Sequence, residues 1–313
     1  MKRLFGLILA LGLLLGTPAL ALTDEELSAA ADEAGRAAIA ACVRPDMTDL
    51  ETLTALHDWL ALRCDYGATL RGETAYGALA EGTAVCVGYA EGYARLAALA
   101  GLDGVMTYSE DMDHAWILAT LDGTRYFTDA TWDDGKNQKL GLIRHAYFLF
   151  GAPDAWETGH YGWDSAETVP GGALEAVPWT AAVTRVIFDG PWAYYIDGDF
   201  RLLRCDRATW ETEVLASMPD RWPDADDALV PEQYTGLVFV RDRLYFNTPR
   251  AVCYYDLRTG AVRAALTPDT SAGLLYGLGV RNGALCVSLA SDKQTLDYTV
   301  LNTGISAVGA WGY

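Results

Sequence analysis

The sequence predicts an α+β domain over residues 22–170, then an all-β, repeat-containing region over residues 180–313, with residues 1–21 as a leader. Three observations carry this reading. Two capping boxes and helical apolar periodicity occupy residues 23–103. A series of strand-like runs follows, two of them joined by an Asp-Gly turn. Beyond Ala181 the helical period vanishes, and short strand-like runs alternate with turns.

The leader has the parts of a signal peptide. Lys2 and Arg3 supply the positive end, Leu4 to Leu15 the apolar run, and Ala19-Leu20-Ala21 the small residues of a cleavage site. The apolar run is short for a permanent bilayer span, and no later segment reads as one. The mature chain is therefore expected to be soluble and exported, extracellular or in the cell envelope, with no membrane span. At 51% hydrophobic, the chain can bury a substantial core. Its formal charge is -19, and removal of Lys2 and Arg3 takes it to -21. So acidic a surface repels phosphate backbones, which sets nucleic acid aside as a partner.

Thr23 to Glu26 opens an Ala-rich helix that reaches Cys42, and Pro45 breaks it. Thr48 to Glu51 opens a second helix, striped by Leu53, Leu56 and Leu60. After a turn-rich stretch around Gly67 to Gly72, a third helix runs from Cys86 to Ala100 and stops at Gly101. Val105 to Tyr108, Ala115 to Leu121 and Arg125 to Thr131 then read as strands, with Asp122-Gly123 as the hairpin turn. In the C-terminal region a loose repeat pairs Trp192 to Asp197 with Leu202 to Asp206. It recurs as Arg243 to Asn247 with Cys253 to Asp256, and more weakly as Ala284 to Leu289 with Leu296 to Leu301. That period suits propeller blades, although three blades do not close an ordinary propeller, and a sandwich fits equally well.

Six cysteines are present: Cys42, Cys64, Cys86, Cys205, Cys253 and Cys286. None has a CxxC or zinc-type spacing, so no metal or cofactor is expected. Cys42 and Cys64, on adjacent helices, either pair or pack as small hydrophobes. Cys86 stands apart because it opens a helix, where the dipole lowers a thiol pKa. Gly82 lets the approach turn, and Gly88 and Ala90 keep the first turn slim enough for a substrate to come close. With Asp122 and Gly123 as the two loop residues, Asp129 faces Trp116 and His114 faces Thr131. His114 and Asp129 are then diagonal neighbours on one face, in reach of a carboxylate–imidazole hydrogen bond. Asp111, Asp113, Asp133 and Asp134 lack a calcium-loop spacing and read as a solvated acidic loop. His145 and His160 read as structural or surface residues.

Four segments together resemble the transglutaminase-like superfamily: Thr74-Ala75-Tyr76-Gly77-Ala78-Leu79, Val85-Cys86-Val87-Gly88-Tyr89-Ala90, His114-Ala115-Trp116, and Tyr126 to Asp134. The resemblance covers roughly residues 45 to 165. It implies a papain-like core, with a cysteine-bearing helix packed on an antiparallel sheet that carries a histidine and an aspartate. It makes Cys86 the nucleophile, His114 the general base and acid, and Asp129 the orienting carboxylate. Tyr76 becomes a candidate oxyanion donor or core aromatic, and Trp132 a shield for the His–Asp pair. The implied activity is acyl transfer from an amide through a Cys86 thioester to water or to an amine, on a peptide or protein substrate such as cell-wall peptide. The alternative is a retired fold that serves as an extracellular binding or scaffold protein.

Overall fold

The computed structural model describes residues 22–134, 140–164, 168–223, 234–292 and 298–310. The leader, residues 1–21, lies outside the described residues. Both capping boxes form. Thr23 and Glu26 cap α1 (Asp24–Cys42), and Thr48 and Glu51 cap α2 (Asp49–Ala61), each hydroxyl accepting from the glutamate amide. The stretch after α2 holds structure that the sequence pattern did not announce. A two-stranded parallel pair, β1 (Asp65–Tyr66) and β2 (Thr83–Ala84), brackets a π-helical turn over Gly77–Glu81. Gly82, at φ +70°, ends that turn in the left-handed conformation its lack of a Cβ permits. The chain then enters α3 (Cys86–Leu99).

A four-stranded antiparallel sheet follows, ordered β3 (Asp103–Ser109), β4 (His114–Leu121), β5 (Thr124–Thr128) and β6 (Phe148–Phe150). Leu121 pairs with Thr124 across Asp122 and Gly123, both at positive φ, as the two-residue turn requires. β5 is shorter than the sequence suggested. After Thr128 the chain turns into a single helical turn, α4 (Ala130–Asp133), with Asp129 as its N-cap. The carboxylate of Asp129 accepts from the amides of Thr131 and Trp132, and this local bonding outcompetes strand continuation. α5 (Ala152–Ala155) completes the region. Ala115, Ile117, Ala119 and Leu121 of β4 meet the buried faces of α2 and α3, while Trp116 and Leu118 join Phe127 and Phe150 on the opposite face.

Three antiparallel meanders make up the rest. The first is β7 (Ile187–Asp189), β8 (Trp192–Ile196), β9 (Arg201–Asp206) and β10 (Thr212–Ser217). The second is β11 (Leu237–Val240), β12 (Arg243–Asn247), β13 (Val252–Asp256) and β14 (Ala261–Leu266). The third is β15 (Leu274–Arg281), β16 (Ala284–Ala290) and β17 (Thr299–Ser306). The repeat read from the sequence coincides with the pairs β8–β9, β12–β13 and β16–β17. Leu296, at the start of the third copy, lies outside the described residues. Ile187, Leu244, Phe246 and Tyr276 share one core across the three sheets. Among the described residues, no helix is long and apolar enough to cross a membrane.

Candidate active site

Cys86 is the first residue of α3, and Val85 before it offers no side-chain cap. The amides of the first turn are therefore left for other partners, and that of Val87 is turned toward the thiol. The Cys86 thiol lies close enough to His114, the first residue of β4, for each to shift the other's titration. His114 Nε2 lies 2.7 Å from Asp129 Oδ2, which leaves Nδ1 as the nitrogen available to Cys86. The three residues run from a half-buried thiol, past the imidazole, to a buried carboxylate that holds the ring.

The electrostatics follow from these contacts. Partial burial pushes the Cys86 thiol up, but the hydrogen bond with His114, the Ala115 amide and the charge of His114 outweigh it and hold the thiol below its ordinary value. Burial pulls His114 down, yet its bonds to Asp129 and Cys86 raise it to about 9. Cys42, Cys64, Cys205 and Cys253 go the opposite way. Burial pushes Cys42 and Cys64 up to about 12 and Cys205 up to about 11. All six cysteines are free, and Cys42 and Cys64 sit unpaired in the α-helical core. Only Cys86 combines partial exposure with a pull toward thiolate.

Trp132 stacks on His114 with ring centroids 5.0 Å apart and an interplanar angle of 21°. Tyr76 stands apart from this chain: it caps the π-helical turn, and the Arg71 guanidinium lies 5.3 Å from its ring centre. Gly88 has a different reason from the one its position suggested. A Cβ there would come within 2.1 Å of the Gly72 carbonyl oxygen, so its slimness admits the chain's own loop rather than a substrate.

Two histidines and two aspartates read as surface or structural groups belong to the site or to its support. His160 is fully buried, and its Nε2 lies 3.1 Å from Asp129 Oδ2, the oxygen that also serves His114. Asp133 and Asp134 are buried rather than part of a solvated acidic loop. Asp133 Oδ2 lies 3.1 Å from His57 Nε2, and His57 Nδ1 lies 3.1 Å from Asp58 Oδ1, which also meets His145 Nε2 at 2.7 Å. Asp134 Oδ2 accepts from the Tyr89 hydroxyl at 2.7 Å. His57 was not singled out from the sequence at all. The available signal was pairing by residue type, since all four histidines of the chain end against aspartates. Two sets of donor atoms, on His57, Asp58 and His145 and on His114, Asp129 and His160, lie within 4.8 Å of one another and could ligate a cation. Hydrogen bonds between ring nitrogens and carboxylates already satisfy both sets.

No family model matches the chain, and no curated protein matches it. Among solved structures, one described as a TGase is similar at TM-score 0.30 and 17% identity, covering 36% of this chain and 34% of its own. A proposed cysteine protease from Cytophaga hutchinsonii is similar at TM-score 0.28 and 18% identity, covering 37% and 45%. The computationally designed Ika4 protein is similar at TM-score 0.27 and 12% identity, covering 60% and 86%. The chain thus spans less than half the length of the first two, and all three likenesses are weak.

Proposed function

We propose that this protein is an exported cysteine enzyme of the transglutaminase-like kind, acting on amide bonds through a Cys86 thioester. The observation that carries the reading is the Asp129-held His114 beside Cys86, which lowers this thiol while burial raises Cys42 and Cys64. The Cys86 thiolate attacks the carbonyl carbon of a peptide or side-chain amide. The oxyanion that forms meets the Cys86 amide at the start of α3, where the dipole favours negative charge. His114 Nδ1–H protonates the departing amine, and the carbon–nitrogen bond breaks to leave the thioester. His114, now neutral, takes a proton from water or from a second amine as that group attacks, and the thiolate leaves. Asp129 keeps Nε2 protonated throughout, and Trp132 covers the imidazole. Tyr66 and Tyr108, each more than a third exposed and close enough to feel the charge on Cys86, border the thiol as apolar contacts for a peptide. The three C-terminal meanders are proposed to be blade-like units of a binding or spacer module.

Thiol alkylation of the intact protein tests the reading. Iodoacetamide is expected to modify Cys86 at mildly acidic pH faster than it modifies a free cysteine, and His114→Ala is expected to slow that reaction. Labelling of wild-type Cys86 at the rate of a free cysteine would refute catalysis and favour the retired, binding fold. A tagged primary amine offered with a glutamine-rich protein then separates transfer from hydrolysis. Export is tested by sequencing the N-terminus of secreted protein, which should begin at Leu22.

A further inference from the structure

His160 is placed with more care than packing demands. It follows α5 and the left-handed Gly159, and its amide donates to the Ala155 carbonyl at 2.7 Å. The ring is fully buried and caged by Trp132, Trp116, Phe150 and Tyr147, with the nearest centroid 4.4 Å away. Its Nδ1 lies 3.1 Å from Thr158 Oγ1, and that hydroxyl donates its own hydrogen to the Ala155 carbonyl at 2.8 Å. The Asp129 carboxylate can only accept, so Nε2 is the nitrogen that carries the hydrogen of that contact. Asp129 in turn receives four donors: the Thr131 and Trp132 amides on Oδ1, and His114 and His160 on Oδ2. Such a carboxylate has no freedom left to rotate.

We propose that His160 is a positioning residue of the site, donating to the Asp129 oxygen that His114 uses and so fixing the His114 ring against Cys86. The inference rests on the acyl-transfer reading above. It makes the working unit four residues, with two imidazoles on one carboxylate. The hydrogen bonds from His114 and His160 oppose the upward push of burial on Asp129 and keep it below the usual carboxylate value. Loss of the His160 donor weakens that anchor, and the acidic edge of Cys86 reactivity moves to higher pH.

The test is the pH profile of Cys86 alkylation by iodoacetamide in the full chain, with the modified peptide identified by mass. His160→Phe keeps the aromatic packing and removes the donor, whereas His160→Gln keeps an N–H near the Nε2 position. His160→Phe is expected to move the acidic limb up by on the order of one pH unit, slowing labelling there about tenfold, and His160→Gln to recover most of it. Thr158→Val, which frees Nδ1 without entering the aromatic cage, should give a smaller shift in the same direction and covers the case in which the Phe variant fails to fold. A His160→Phe profile superimposed on wild type, or a Gln variant as impaired as Phe, would overturn the inference and leave packing as the role. Wild-type labelling no faster than a free cysteine at every pH would instead remove the acyl-transfer reading beneath it.

Discussion

At the scale of single residues, the site is a contest between burial and hydrogen bonding, and Cys86 is where hydrogen bonding wins. The imidazolium of His114 persists up to about 9, and the Cys86 thiolate forms below its ordinary value, so the ion pair exists between the two. Turnover should follow a bell whose alkaline limb lies near the His114 value. Asp129→Asn keeps an oxygen to cap α4 but withdraws the charge that raises His114. The variant should lose turnover by on the order of 10³-fold, and its labelling profile should move to higher pH, which stopped-flow alkylation would read. The relation of His114 to Asp129 was legible because the Asp122-Gly123 turn sets strand parity. The support behind it was not. His57 and Asp133, or Asp58 and His145, are far apart in the chain and meet only in the fold, and no local period announces a buried imidazole.

At the scale of elements, α3 opens on Cys86 and α4 is capped by Asp129, and both owe their placement to small backbone details. The capping boxes, α3 and the β4–β5 hairpin were readable because each rests on contacts between residues close in sequence. The β1–β2 pair and the π-helical turn rest on packing between segments, which short motifs do not encode. Gly88 is one such contact. Gly88→Ala should push the Gly67–Gly72 loop from the first turn of α3, costing about 1–3 kcal/mol, and should also slow Cys86 labelling. Denaturant titration with parallel labelling checks both effects. α4 is held at both ends, by His114 and His160 through Asp129 and by His57 through Asp133. Burial lowers His57, but Asp133 and Asp58 raise it to about 9. A histidine raised on folding contributes stability fully below its unfolded value of about 6.5 and loses it as pH climbs through about 9. Melting temperature should therefore fall across that window, and His57→Gln should flatten the decline while lowering stability at neutral pH by on the order of 2–3 kcal/mol.

At the scale of the whole molecule, the change of pattern near Ala181 was plain in the sequence, but the closeness of the two parts was not. Arg207, after β9, reaches back to α2 and holds Glu51 with two bonds of 2.6 Å and Asp46 with one of 2.8 Å. Glu51 is the glutamate of the second capping box, so one carboxylate closes α2 and anchors the first meander. The Val186 amide donates to Asp58 Oδ2 at 2.7 Å, Trp179 Nε1 donates to Thr54, and Met47 and Leu50 pack against Trp179 and Phe188. A linker between independent domains would leave these groups in water. The helical region and the first meander should therefore unfold as one unit. Arg207→Ala strands a buried Glu51 charge and should cost about 3 kcal/mol, whereas Arg207→Lys keeps the charge, loses the two-pronged geometry and should cost less. Protection of the buried Cys205 from alkylator reports the first meander, and protection of the buried Cys42 and Cys64 reports the helical part. The two transitions are expected to coincide in wild type and to move together in Arg207→Ala. If the Cys205 midpoint shifts while protection of Cys42 and Cys64 stays where it was, the two parts are separate folding units joined only by contact.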